Sequence, residues 1–295
     1  MPYSRRRLVE EAQVAGFPDA NERLVTEWVR LGLLGSPERT NCKGKRGAFY
    51  EWPDHQLDLF LTLLRKRGGE VRRTKALAAI PVGVWLYWGD EWVSISQVRR
   101  ALITSTSLFG PPGSWGHAKA NAKEVVRSLR SEGALPEATR ALQECLTSGL
   151  YNTRLDPDQL RPLVAEVLAC DPRTGGWGPF GWSLDDVVHW LRATVVAISR
   201  LSSVTDGDLV DARARLRGAL LQYAVEWRQL TGLPVYGQSF EEPTVESLVS
   251  RSCKNLLLAL GARMIADEEG LAMPPPPVMD WHHPPFDLIR LSART

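Results

Sequence analysis

The sequence predicts a mainly α-helical protein with one small β-hairpin near its N-terminus. Apolar residues recur at helical spacing through most of the 295 residues, whereas strand-like chemistry is confined to residues 37–50. The chain is longer than a single domain of about 100 to 200 residues. We therefore expect an N-terminal domain over residues 1–70, a helical extension over 71–132 and a C-terminal helical bundle over 133–295, which ends in a proline-rich tail.

The first predicted helix follows Ser4, a residue type that caps helix N-termini. It runs to about Ala15, and the glycine and proline of Gly16-Phe17-Pro18 end it. Its apolar face is formed by residues at helical spacing, Leu8, Ala12 and Ala15.

A second helix is predicted from about Ala20 to Leu31. Asp19 and Glu22 have the spacing of a capping box, and Gly32 is suited to the helix C-terminus. Its apolar face contains Leu24, Trp28 and Leu31. Two short helices joined by a tight turn are a candidate helix-turn-helix.

The next segment, from Pro37 to Tyr50, predicts a β-hairpin, because it has turn residues at its middle and an aromatic end. Pro53 is suited to the first position of a third helix. The apolar residues of that helix are spaced i, i+3, i+4, i+7: Leu57, Phe60, Leu61 and Leu64. A hairpin in this place is a wing, so the N-terminal domain is predicted to be a winged helix-turn-helix.

Several short motifs of this domain resemble the winged helix-turn-helix of MerR-type transcriptional regulators. They are the string Arg30-Leu31-Gly32-Leu33-Leu34, Tyr3-Ser4 before the first helix, Pro37 and Arg39 at the start of the wing, and Gly47 and Tyr50 at its end. The resemblance covers about residues 3–67 and implies that this domain binds DNA.

The chain departs from that family in three ways. Thr26-Glu27-Trp28 stands where the family usually has Arg-Tyr-Tyr, and the wing is longer. Gly68-Gly69 and Pro81 interrupt the region where the family has a long dimerisation helix. The family's dimer geometry, its twisting of promoter DNA and its sensing of metals or drugs are therefore not expected here.

Two parts of the N-terminal domain are predicted to contact DNA. The polar face of the second helix is predicted to contact base edges in the major groove. Its side chains are Asn21, Arg23, Thr26, Glu27 and Arg30. The wing tip is expected at phosphates or in the minor groove through Lys43, Lys45 and Arg46. Further contacts are predicted beside these elements, at Ser4, Arg5, Arg6, Arg39 and Tyr50. The alternative for each cation is a solvated surface charge.

The helical extension contains an aromatic cluster that is expected to be core, formed by Trp85, Tyr87, Trp88 and Trp92. After it, the segment from Ser94 to Ile103 carries polar side chains that are candidates for a second contact surface, Gln97, Arg99 and Arg100.

A further helix is predicted from Ser114 to about Leu129. One face is apolar, with Ala118, Ala122, Val125 and Leu129, and another forms a basic stripe of Lys119, Lys123, Arg127 and Arg130. The stripe is predicted to follow the DNA backbone, and a solvated amphipathic face is the alternative.

The C-terminal half shows three amphipathic segments that indicate a helical bundle. They are marked by Leu184, Val187, Val188, Leu191, Val195 and Ile198, by Leu209, Ala212, Leu216, Leu220, Tyr223 and Trp227, and by Val249, Cys253, Leu256, Leu260 and Met264. Leu209, Leu216, Leu220 and Trp227 are the first choice for a subunit interface, with intradomain core as the alternative. The glycine-rich loop 175–182 is either a pocket wall or a cover over the core.

The balance of charge differs between the two halves. Residues 1–130 contain 21 Lys and Arg against 13 Asp and Glu, a net charge of +8, whereas residues 131–295 contain 15 against 21, a net charge of −6. A basic N-terminal region attracts phosphates, and an acidic remainder suits assembly or sensing.

The sequence gives little support for a membrane protein, a zinc- or disulfide-stabilised protein, or an enzyme. No run reaches the roughly 18 apolar residues of a membrane helix, and no apolar signal core follows the N-terminal arginines. Cys42, Cys145, Cys170 and Cys253 form no CxxC pair, so no zinc site or disulfide framework is indicated. No catalytic motif occurs, and no enzyme activity, metal or cofactor is expected. The expected location is cytoplasmic, with the nucleoid.

The sequence thus predicts a protein that binds double-stranded DNA in a sequence-specific manner. The simplest such protein is a transcriptional regulator that forms a homo-oligomer through its C-terminal half. The first alternative is an architectural or recombination accessory protein similar to excisionases. The second is a protein-interaction module that does not bind DNA. A small-molecule effector has no support in the sequence.

Overall fold

The computed structural model of the protein describes residues 2–40, 49–68, 74–106, 113–129, 134–168, 183–230 and 245–273. Over these residues the fold is mainly helical, with one antiparallel sheet of two strands. The predicted mainly α class and the short hairpin are confirmed. In this part of the chain, none of the helices has both the length and the apolar character needed to cross a bilayer.

The described residues form two compact units. Unit 1 contains the chain up to Ser105 together with Val245–Cys253, and unit 2 contains the described residues between Thr106 and Leu230 and those from Lys254 onward. The three-domain division drawn from the sequence stays a prediction.

The helices and strands of unit 1 follow in chain order. They are α1 (Arg5–Val14), α2 (Glu22–Arg30), β1 (Glu38–Thr40), β2 (Phe49–Glu51), α3 (Asp54–Gly68), α4 (Thr74–Leu77), α5 (Ala79–Trp88) and α6 (Ile95–Thr106). The first residues of α12 (Val245–Glu268) also belong to this unit.

Helix α1 begins and ends as its sequence predicts. The Ser4 side chain accepts a hydrogen bond from the backbone N–H of Arg7 (3.3 Å). At the other end Gly16 has a φ of +96°, and the N–H of Phe17 donates to the carbonyl of Ala12 (3.0 Å). This is the glycine-terminated Schellman arrangement, which satisfies carbonyls that the helix leaves open.

Of the four aromatic residues expected in the core, Trp85 and Tyr87 are buried, whereas Trp88 and Trp92 are only half-buried. Trp85 is fully buried and its indole N–H donates to Asp90 (2.7 Å). Tyr87 is also buried, and desolvation raises the pKa of its hydroxyl to about 12. Pro81 lies in the first turn of α5, where the missing N–H costs no helical hydrogen bond.

The apolar face of α3 differs from the predicted one. Leu59, Phe60, Leu63 and Leu64 are buried, whereas Leu57 and Leu61 are only half-buried. The interface with α1 and α2 is centred one position away from the predicted stripe. A further buried side chain at the start of the same face is polar, Gln56.

Unit 2 is helical: its larger aliphatic core is shared by the first four helices given below, and a smaller separate cluster joins Ala193 and Val196 to Ile265. The helices are α7 (Trp115–Leu129), α8 (Pro136–Asn152), α9 (Pro157–Leu168), α10 (Leu184–Ser199), α11 (Asp206–Leu230) and the remainder of α12. The predicted apolar residues of α7 are buried, as are Val187, Val188, Leu191 and Val195 of α10. Helices α8 and α9 were absent from the sequence predictions, although Ala138, Leu142, Leu146 and Leu150 have helical spacing and are buried.

The predicted interface stripe on α11 begins with buried residues. Leu209 and Ala212 are fully buried, and Leu216 is half-buried. The choice of Leu209 as an interface residue is therefore wrong, because its side chain is buried within the chain and cannot contact a second copy. The side chains of Leu220 and Trp227 lie outside the described residues.

Candidate nucleic-acid interface

Helix α2 has a polar face that is exposed to solvent and an apolar face that packs against the rest of unit 1. Val25 and Trp28 are buried, and Trp28 packs edge-on against Phe60 with ring centroids 5.4 Å apart. Leu24 and Leu31 are half-buried, so the sequence analysis missed Val25 as the centre of the buried face. The side chains predicted to reach bases are all exposed: Asn21, Arg23, Thr26, Glu27 and Arg30.

Asn21 is the N-cap of α2, a position that the sequence analysis gave to Asp19. Its Oδ1 accepts from the backbone N–H of Leu24 (2.9 Å), and its Nδ2 donates to the carbonyl of Asp19 (3.0 Å). Helix α2 therefore begins at Glu22 rather than near Ala20. The side chain of Asn21 is engaged in starting the helix, which reduces its capacity to read a base.

The end of α2 is a tight turn at Gly32, which has a φ of +73°. The N–H of Leu33 donates to the carbonyl of Trp28 (2.9 Å), and that of Gly32 donates to Val29 (3.1 Å). A methyl group at Gly32 would overlap the backbone nitrogen of Ala101 in α6. Glycine is thus required here for both its backbone conformation and its lack of a side chain.

A buried polar network holds the turn after α2. The Gln56 side chain accepts from the N–H of Gly35 (2.8 Å) and donates to the carbonyl of Trp92 (3.0 Å). Gln97 donates to the carbonyl of Leu33 (3.1 Å). The indole N–H of Trp52 donates to the carbonyl of Gly35 (2.8 Å). These bonds satisfy backbone groups that the turn would otherwise bury without partners.

Helix α6 also binds the last carbonyls of α2. Arg100 donates through Nε to Val29 (3.1 Å), and the Thr104 hydroxyl donates to Leu31 (2.8 Å). A cation at a helix C-terminus opposes the negative end of the helix dipole. Burial lowers the pKa of Arg100.

These contacts change the interpretation of two residues that were candidates for a second contact surface. Gln97 is fully buried and Arg100 is half-buried, and both bind backbone groups of the α2 turn. Their proposed role as surface contacts is therefore wrong, because their polar atoms form hydrogen bonds that stabilise the turn after α2. Arg99 is half-buried as well.

The start of α1 lies beside the hairpin. Tyr3 and Trp52 exchange two backbone hydrogen bonds, each 2.8 Å, and Trp52 follows β2 directly. This bridge places three exposed residues at the base of the hairpin, Ser4, Arg5 and Arg6. Ser4 is used as the cap of α1, and Arg6 forms an ion pair with Glu10 (2.8 Å) that raises the pKa of Arg6.

The hairpin places Arg39 and Tyr50 on one face. They are directly opposite each other in the antiparallel register, so both side chains point to the same side of the sheet. Arg39 is exposed, and Tyr50 is 58% exposed, a large fraction for an aromatic residue. The predicted tip residues Lys43, Lys45 and Arg46 lie outside the described residues.

The basic stripe of α7 belongs to unit 2. Lys119, Lys123 and Arg127 are exposed, opposite the buried alanines and valines of the same helix. Arg127 forms an ion pair with Glu124 (2.7 Å). Arg130 lies outside the described residues.

Comparison with known protein families, with curated proteins and with solved structures returns no match for this chain. The resemblance of residues 3–67 to MerR-type domains thus stays a prediction from the sequence. The described residues contain no group of three or more His, Cys, Asp or Glu side chains able to hold a metal ion.

Proposed function

We propose that the protein binds double-stranded DNA in a sequence-specific manner, as a transcriptional regulator whose N-terminal region acts as a MerR-like winged helix-turn-helix. The observation that supports this most is the exposed polar face of α2, with Arg23, Thr26, Glu27 and Arg30 on a helix whose other face is buried. Rigid support for a polar helix face is what base readout requires, because side chains must be held at fixed places in the groove.

The chemistry of the α2 face suits the major groove. Arginine makes bidentate hydrogen bonds to guanine, glutamate accepts from the cytosine amino group, and threonine contacts thymine methyl groups or polar edges. The hairpin adds Arg39 and Tyr50 for the backbone, and the wing tip adds Lys43, Lys45 and Arg46. The stripe of Lys119, Lys123 and Arg127 is proposed as a separate phosphate contact within unit 2, in keeping with a place on the nucleoid.

The wing is tested by its effect on salt dependence. Replacement of Lys43, Lys45 and Arg46 by alanine should weaken binding to every duplex alike, because phosphate contacts carry no sequence information. The slope of log affinity against log salt should fall by up to about three units. Fluorescence anisotropy with the full chain and a random duplex pool at several salt concentrations measures this.

The matched control for the wing variant is the pair Arg251→Ala and Lys254→Ala, which removes two exposed cations of α12. It should leave the salt slope nearly unchanged. An unaltered salt slope in the wing variant would contradict the assignment of the wing tip to the DNA interface. Absence of duplex binding by the wild-type chain at low salt would contradict the whole proposal and favour a protein-interaction module.

We also propose that two copies of the chain bind one site. One winged module buries only roughly 600 to 1,000 Å² on DNA, which is little for a tight and specific site. The second copy is expected to associate through the C-terminal half. Multi-angle light scattering of the full chain should give a mass of at least two chains, and a monomer even with bound duplex would contradict this assembly.

The length of the DNA footprint separates a regulator from an architectural protein. Two spaced half-sites are expected for a regulator, because a symmetric dimer repeats its contacts about one helical turn apart. A long continuous protected tract would instead support the architectural, excisionase-like alternative.

A further inference from the structure

Two aromatic side chains of unit 2 are exposed next to each other. Trp115 is 52% exposed and Tyr151 is 48% exposed, and their rings meet edge to face with centroids 5.3 Å apart. Trp115 is the first residue of α7, and Tyr151 lies in the last turn of α8. Large aromatic rings are usually mostly buried. An exposed pair is therefore uncommon and is a candidate contact surface.

The basic stripe of α7 begins one turn after this aromatic pair. Lys119, Lys123 and Arg127 follow Trp115 at steps of four residues, which places them about 6 Å apart along the helix axis. Glu124 is the single carboxylate of α7, and Arg127 already pairs with it. Among the cations of α7, Lys119 and Lys123 follow Trp115 most closely along the helix, and both are exposed.

Aromatic faces beside a row of cations fit an unpaired nucleic-acid strand better than a duplex. In a duplex the bases stack on one another and present only their edges in the grooves, so an exposed ring has no base face to contact. In an unpaired strand the bases are free to stack on aromatic side chains while phosphates follow the cations. An apolar protein partner fits less well, because Lys119, Ser148 and Asn152 around the pair are exposed polar residues.

We propose that this surface, formed by Trp115, Tyr151, Lys119 and Lys123, binds single-stranded nucleic acid. A base stacks on the aromatic pair, and the adjoining phosphates lie along the α7 cations. This site goes beyond the proposed duplex reading by α2, since unpaired bases are its ligand. It would let the protein hold a strand that is locally separated from its complement.

The test compares two probes on the full-length chain. One is a fluorescent oligothymidylate of about 16 nucleotides, the upper range of site sizes for single-strand modules. The other is a duplex of random sequence. The double variant Trp115→Ala, Tyr151→Ala should bind the oligothymidylate about tenfold more weakly or worse, because alanine removes the stacking platform. Its affinity for the duplex should change by about twofold or less, since duplex bases do not reach the rings.

Matched variants separate stacking from loss of apolar area. Trp115→Phe with Tyr151→Phe keeps two aromatic faces and should retain most of the oligothymidylate affinity. Val210→Ala shortens another exposed apolar side chain of unit 2, which is 44% exposed, and should have no effect on either probe. If the double alanine variant does not fold by circular dichroism, Tyr151→Ala alone is measured against the same criterion.

Two results would overturn the proposal. One is failure of the wild-type chain to bind oligothymidylate, and the other is an unchanged affinity after removal of both rings. Because the duplex is measured in parallel, these results leave the proposed duplex function standing. If the wild-type chain binds oligothymidylate but not the duplex, the proposed duplex function fails and the single-strand site stands.

Discussion

Substitution of Gly32 by alanine is expected to destabilise unit 1 by about 2 to 5 kcal/mol. An L-residue at a φ of +73° is strained, at a cost of about 1 to 2 kcal/mol. The added methyl group would also overlap the Ala101 backbone and lie 2.6 Å from Gln97 O, so α6 must move, at about 1 to 3 kcal/mol. Urea unfolding followed by tryptophan fluorescence measures the loss, and hydrogen exchange shows whether the turn at residues 32–36 opens first.

Gly16 provides a matched control for this substitution. It occupies the same position after α1 that Gly32 occupies after α2, with a φ of +96°, but a methyl group there would meet nothing within 4 Å. Gly16→Ala should therefore cost only the conformational strain, about 1 to 2 kcal/mol. Equal losses in the two variants would show that close packing of α6 against Gly32 contributes nothing.

Local sequence signals predicted the elements that carry the candidate interface. Ser4 as a cap, Gly16 and Gly32 as helix ends and the hairpin before Pro53 all depend on contacts within a few residues. The polar face of α2 was predicted correctly for the same reason, since helical periodicity determines which residues share a side.

The choice of the α2 cap shows the limit of local signals. Asp19 and Asn21 are both suitable cap residues two positions apart, and both have hydrogen-bonding side chains. The turn geometry after Gly16 decides between them, and Asn21 is the one whose Oδ1 reaches the N–H of Leu24. Spacing alone does not contain that geometry.

The support of the α2 turn could not be predicted from local sequence. Gln56, Gln97, Arg100 and Thr104 bind backbone groups between 21 and 73 residues away in the chain. One signal was present: Gln56 precedes Leu59, Phe60, Leu63 and Leu64 at helical spacing, which places a polar side chain on an apolar face. Such a residue indicates a buried partner, but only the tertiary fold identifies it.

Reversal of the two arginines on the α2 face should have the largest effect on DNA binding. Arg23→Glu with Arg30→Glu removes two candidate base contacts, each worth about 1 to 3 kcal/mol, and places negative charge against the phosphates. We expect at least about a hundredfold loss of affinity for a duplex enriched from a random pool by the wild-type chain. Because both side chains are exposed, the fold should persist, with a cost of about 0.3 to 1 kcal/mol for a carboxylate in the last turn of α2.

The matched control carries the same change of charge elsewhere on the surface. Arg251→Glu with Lys254→Glu reverses two exposed cations of α12 that belong to none of the proposed contacts. If the loss came from net charge alone, both double variants would lose affinity equally and their discrimination between enriched and random duplexes would be unchanged. If α2 reads bases, its variant alone loses that discrimination, because phosphate attraction is the same for every sequence whereas base contacts are not. Retention of full discrimination by the α2 variant would exclude this helix as the reader.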